Sequence, residues 1–237
     1  MALDVNRRRT TRRVVLAVGT PLALVLVLAQ AFLPSLAAKR VSDRVARYGA
    51  VESTSVSAFP ALELLWGKAD SITVHAATLT VTPAQIGSLL WEARGASDTT
   101  VSAAAVSLRV AGLPSGLTVS AVRMERHGSA VHASATLTQR ALDEALPSGF
   151  HVQPTASGEG QVRVRASGGL FGVQTSIDAL VRPLEGRIVA EPSGFPLAGI
   201  ATVTLFSDPH LNVQSIGVRV LRGTPLAYGL SLSATLR

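Results

Sequence analysis

From residue 71 to the C-terminus the chain repeatedly alternates apolar and polar residues, the pattern of strands with one face buried and the other wet. In 161–166 (QVRVRA), Val162, Val164 and Ala166 fall on one face and Gln161, Arg163 and Arg165 on the other. At the C-terminus Leu230, Leu232, Ala234 and Leu236 alternate with Ser231, Ser233 and Thr235. Similar runs cover 71–81, 101–110, 117–125, 129–137, 173–181, 186–190 and 213–221, punctuated by turn pairs such as His127-Gly128, Gly168-Gly169 and Glu185-Gly186. The spacing predicts a mostly antiparallel, β-dominated α+β domain.

Helical spacing interrupts this pattern in two places and precedes it in a third. Thr82-Pro83 reads as an N-cap with proline at the first helical position, Ile86, Leu89 and Leu90 share a face, and Gly95 is a stop, so a helix is predicted near 83–94. Thr138 precedes QRALDEAL, with Leu142 and Leu146 four apart and Pro147 ending a helix over 139–146. These two units superpose at an offset of 56, Thr80, Thr82, Ile86 and Leu90 falling on Thr136, Thr138, Leu142 and Leu146. The third helix, Pro60–Gly67, carries an apolar stripe of Leu62, Leu65 and Trp66, a spacing that ordinarily marks core packing. The expected architecture is one curved antiparallel sheet packed with two or three short helices.

At the other end of the chain, residues 14–38 run 25 residues without a charge, a helix of roughly 37 Å and long enough to span a bilayer. The five arginines before it (Arg7, Arg8, Arg9, Arg12, Arg13) oppose transfer and place residues 1–13 in the cytoplasm, with 39–237 an exported domain. An uncleaved anchor is favoured because apolar residues continue past Ala29-Gln30-Ala31, where a signal peptide would be cut. Either reading exports the domain. Lys39 and Arg40, followed by Val41, Val45 and Tyr48 at helical spacing, fit a juxtamembrane helix meeting anionic headgroups, or a helix packed on its own domain.

The formal charge of +7 is largely a property of that N-terminus. The 199 residues after Ala38 carry 17 basic and 14 acidic side chains. No basic stretch is interleaved with aromatics, which argues against nucleic acid as a partner. Cysteine is absent, the five histidines show no H-x-x-x-H or H-x-H pair, and no nucleophile elbow, P-loop or dinucleotide fingerprint occurs. No catalytic, metal or cofactor site is therefore predicted, although a transferase whose site assembles only in three dimensions stays open. Apolar residues are mostly Ala, Val and Leu, with ten aromatics. Small inward residues suit either an alanine-rich core or an apolar cavity that takes an acyl chain.

Three stretches bring a family into view. SVSAFPALELLWGKADSITVHA (55–76), GLPSGLTVSAVRMERHGSAVHASATLT (112–138) and the proline turn GFPLAG (194–199) resemble the LmeA-like phospholipid-binding proteins of actinobacterial cell envelopes. The resemblance implies an exported domain, similar in kind to elongated tubular lipid-binding folds, that binds phospholipid or glycolipid and supports envelope lipid maintenance or glycolipid synthesis. It brings no catalytic motif.

Apolar stripes and resemblance together place an acyl chain between sheet and helices. Its expected lining is Phe59, Leu65, Trp66, Ile86, Leu90, Trp91 and Leu142, with Lys68 and Arg94 as headgroup partners. The cytoplasmic membrane, and envelope enzymes to which lipid would be presented, are the other expected partners. A scaffold subunit recruiting partners through strand edges is the competing non-enzymatic reading. The topology makes a direct prediction: protease added to intact spheroplasts digests residues 39–237, and protection of that domain would overturn the orientation.

Overall fold

The computed structural model describes residues 29–110, 113–170, 173–193 and 202–237. The basic stub, residues 14–28 of the uncharged run and the GFPLAG turn lie outside the described residues. No helix among the described residues is long and apolar enough to cross a membrane. Residues 29–45 form helix α1, which continues through the expected boundary at 38/39.

After α1 come β1 (Gly49–Ser57), a 3-10 helix (Ala61–Trp66), β2 (Ala69–Val81), α2 (Pro83–Glu92), a 3-10 turn (Ala93–Gly95), β3 (Ala96–Leu108), β4 (Leu117–His127), β5 (Ala130–Thr138) and α3 (Gln139–Ala145). The chain then folds as β6 (Phe150–Gly158), β7 (Gln161–Leu170), β8 (Val173–Leu184), β9 (Arg187–Ser193), β10 (Val203–Phe206), β11 (Leu211–Leu221) and β12 (Ala227–Leu236). The β-dominated α+β class is as expected, with two corrections. The strands form two sheets, β1-β2-β3-β4-β5-β12-β11 and β10-β9-β8-β7-β6. One pair, β2 with β3, is parallel. The reason is α2: a strand–helix–strand crossover returns the chain in the same direction.

Both helix starts use threonine as the spacing predicts. The Thr82 hydroxyl accepts from Gln85 N–H at 3.4 Å while Gln85 Oε1 accepts from Thr82 N–H at 2.7 Å, a reciprocal cap worth about 1 kcal/mol. Thr138 accepts from Ala141 N–H at 3.2 Å. From its cap α2 runs over the seven-stranded sheet, and Ile86 packs into two adjoining clusters. One contains Ala76, Val81, Ala103, Val106, Val119 and Leu137; the other contains Leu90, Val131, Leu211, Val213 and Ala234. Close approach requires Gly87, because a Cβ there would lie 2.1 Å from the buried carboxylate of Asp208.

The C-terminal end of α2 is held by a buried cation. Period two puts Arg126 on the core face of β4, where its guanidinium donates to Ala93 O (2.9 Å), Ala96 O (2.6 Å), Thr99 Oγ1 (3.0 Å) and Gly128 O (2.6 Å). Positive charge also suits the negative end of the helix dipole. Burial pulls this guanidinium below its ordinary pKa and Asp98 opposes the shift. Arginine remains charged throughout the accessible pH range.

The two sheets meet at β11. Its amides at Val213 and Ile216 donate to Gly186 O (3.0 Å) and Gly160 O (2.9 Å), at the β8–β9 and β6–β7 turns, and Val218 N–H donates to Ser157 Oγ (2.9 Å). Gln139 of α3 makes a second tie, accepting from the Tyr228 hydroxyl (2.6 Å) and donating to Val152 O (3.1 Å). The Arg126 site yields a stability prediction. Arg126→Met leaves the buried Ala96 carbonyl and Thr99 hydroxyl, and the partly buried carbonyls of Ala93 and Gly128, without their donor and lowers unfolding free energy by about 3 kcal/mol. A lower urea midpoint at unchanged m value is the expected readout. Arg123→Met, which removes an exposed pair with Glu125, shifts it by less than about 1 kcal/mol.

Candidate functional site

The residues expected to line a cavity separate into two groups. Ile86, Leu90 and Leu142 face the sheet as expected, but they are packed: Leu90 is 3% exposed among Val131, Leu211 and Val213, and Leu142 sits against the Val81–Leu137 cluster. Trp91 is half-buried, its ring 4.9 Å from that of His210. Phe59, Leu65 and Trp66 instead point to solvent, at 80%, 64% and 72% exposure, which corrects their expected orientation. The cause is local geometry. Residues 61–66 are a 3-10 helix, with three residues per turn, so the 3.6-residue stripe read from the sequence does not form. Ala61 is buried, and Gly67 ends the helix in the left-handed region at φ 71°.

Lys68 and Arg94 come to the same end of the molecule, since a Cβ on Gly95 would lie 2.1 Å from Gly67 O. The Arg94 guanidinium stacks 4.4 Å over the Trp91 ring and donates to Trp91 O at 3.2 Å. Both cations are exposed. They sit where β2 and β3 begin, beside the exposed Trp66, rather than over a closed cavity.

The five-stranded sheet offers a different apolar surface. Register puts Phe150, Val152, Val164, Ala166, Ile177 and Ala179 on one face of β6, β7 and β8. Gly168 lets the Phe150 ring lie flat there, because a Cβ would come within 2.7 Å of the ring. The opposite face is charged, with bidentate pairs Arg165–Asp178 (2.7 and 3.1 Å) and Arg182–Glu191 (both 2.9 Å). The hydrogen bonds from Arg165 hold the Asp178 carboxyl below its ordinary pKa. This sheet therefore carries ion pairs on one side, beside the buried Val189, and is apolar on the other. The apolar side joins the core at Ile188, which packs with the Leu90–Val213 cluster, and near Val162. Farther from that junction Phe150, Ile177 and Val203 are exposed.

At β6 this apolar face borders a groove of about 550 Å³ with a mixed lining, apolar at Ala135, Leu221 and Leu230. Ser157, paired with Val162 on the apolar face, lines the groove with Ser134, Thr136, Gly217, Arg219 and Ser231. Small residues make the depression: a Cβ on Gly217 would lie 2.7 Å from Ser231 Oγ. Arg219 is exposed and has no carboxylate partner among the described residues. An open apolar face beside hydroxyls and a cation is complementary to an amphiphile with an anionic or hydroxylated head.

The model of a family described as LmeA-like phospholipid-binding matches residues 28–233. The chain belongs to this family. No curated protein and no solved structure matches the chain. Membership in the LmeA-like family supports lipid as the ligand, and the apolar face and its groove are the features suited to one. Sequence reasoning assigned neither to the site, although Val162, Val164 and Ala166 were legible as one apolar face. That no helix among the described residues covers Val164 and Ala166 is a tertiary fact.

Leu90 lies in a packed cluster beneath α2. Leu90→Trp overfills a closed cluster and destabilises by about 1–3 kcal/mol. A thermal or urea melt checks this; an unchanged midpoint would reveal spare volume between helix and sheet.

Proposed function

We propose that this member of the LmeA-like family is an exported phospholipid- or glycolipid-binding protein, held at the cytoplasmic membrane by residues 14–38 with its domain outside. Acyl chains lie along the apolar face of the five-stranded sheet. The polar head sits in the groove of Ser134, Thr136, Ser157, Ser231 and Arg219. One observation carries the assignment: an apolar sheet face that is continuous with the core yet exposed at Phe150, Ile177 and Val203. Lipid binding without catalysis suits presentation of lipid to enzymes of envelope lipid maintenance or glycolipid synthesis.

The test is native mass spectrometry of the full chain extracted from its own membranes. Wild type carries lipid. A double variant, Ile177→Lys with Val203→Lys, loses lipid about tenfold or more, the equivalent of at least 1.4 kcal/mol. It stays folded because both positions are already exposed. Arg163→Glu, on the charged face of β7, retains lipid. Equal occupancy in the wild type and the double variant would remove the acyl surface from this face.

A further inference from the structure

One end of the domain collects large apolar side chains that neither the core nor the acyl surface uses. Phe59, Leu65 and Trp66 project from the segment between β1 and β2, and Phe32 and Leu36 are exposed on α1. Gln30 fastens the two together, donating to Ala58 O (3.3 Å) and accepting from Ala61 N–H (2.8 Å). Gln30 of α1 is therefore fixed beside this tip.

The exposed stripe of α1 is graded. Phe32 and Leu36 are one turn apart on one face, and Lys39 and Arg40 extend that face one turn farther from Gln30. At about 1.5 Å per residue the two cations lie roughly 14 Å along the helix from Gln30. Lys68 and Arg94 flank the tip on the sheet side. Against these four cations stand Glu63 and Asp70, and Asp70 is engaged by Phe59 N–H at 2.8 Å. Apolar residues outermost with cations behind them match the order of acyl chains and phosphates in an anionic leaflet.

The sequence identifies the occupant. The uncharged run 14–38 extends into this region: residues 29–38 belong to α1, so the tip is contiguous in sequence with the chain's most apolar segment. We propose that residues 58–68 and the exposed face of 29–40 form a membrane-docking tip. Phe59, Leu65 and Trp66 enter the interface of an anionic bilayer, and Lys39, Arg40, Lys68 and Arg94 meet its phosphates. This surface is distinct from the groove, which lies toward the opposite ends of β5 and β12.

The chain has two tryptophans, so Trp91→Phe leaves Trp66 as the sole reporter. The full chain carrying that change is reconstituted into vesicles of brominated phosphatidylcholine with one third phosphatidylglycerol. Trp66 emission shifts to shorter wavelength and loses more than half its intensity with bromines high on the acyl chain, and little with bromines at the chain end. Adding Phe59→Ser and Leu65→Ser, both at exposed positions, reduces quenching at least twofold with an unchanged circular-dichroism spectrum. Replacing phosphatidylglycerol by phosphatidylcholine does the same. Water-like, unquenched emission would overturn the proposal, as would blue-shifted emission without quenching, which marks a second protein copy over the tip. Equal quenching in both lipid mixtures would overturn the anionic partner. The outcome is separable from the acyl-face assignment: tip variants leave co-purified lipid unchanged, and Ile177→Lys leaves Trp66 quenching unchanged.

Discussion

Two backbone hydrogen bonds on the outer edge of β11 decide how the molecule is arranged. An edge strand presents unpaired amides and carbonyls that would otherwise invite pairing with another chain. Here Val213 and Ile216 donate to carbonyls in two hairpin turns instead of to a further strand. A bulge between Val213 and Ser215 makes this possible, because the extra residue shifts which amides point outward, from 213 to 216 and 218. The five-stranded sheet is thereby joined to the larger one through turns rather than by continuing its ladder. Its apolar face meets the core at Ile188 and continues beyond the reach of α2.

That arrangement explains which strands could be read from the sequence. Every expected strand is present, most with ends extended by a few residues. The three that were not expected, β1, β6 and β10, are all at sheet edges. Alternation records a strand with one buried face, and edge strands are less constrained to have one. β1 reads GAVESTSVS and is rich in hydroxyls; β6 contains Pro154, which an edge tolerates; β10 has four residues. β11 is also an edge, yet its alternation was legible because Val213 is buried in the cluster of Leu90, Val131 and Ala234.

The site was less legible than the fold because it depends on what is left uncovered. Leu90 and Ile86 were correctly placed on the inward face of α2, but periodicity cannot tell a packed cluster from a cavity. Residues 60–67 were read with a helical period that the short 3-10 segment does not have, which turned Leu65 and Trp66 outward. Arg126 carried an available signal: a charge at a core-facing position of an alternating strand, Val122-Arg123-Met124-Glu125-Arg126. Its role required the carbonyls of Ala93 and Ala96, about thirty residues away and without any side-chain signature.

An open apolar face suits a lipid ligand for an energetic reason. A methylene transferred from water gains about 0.8 kcal/mol, but one transferred from a bilayer gains almost nothing, since it leaves one apolar surrounding for another. Binding therefore needs little apolar stabilisation beyond what replaces the bilayer, and a chain laid on a sheet face can slide from one to the other without full exposure to water. Selectivity then falls to the head, where hydroxyls and Arg219 offer hydrogen bonds and charge. On this reading, proximity to the membrane matters as much as affinity. Each methylene exposed in transit restores its hydration cost, so a domain docked at a leaflet shortens the path over which that cost accumulates. The apolar tip and the open sheet face thus act on the same barrier from opposite ends.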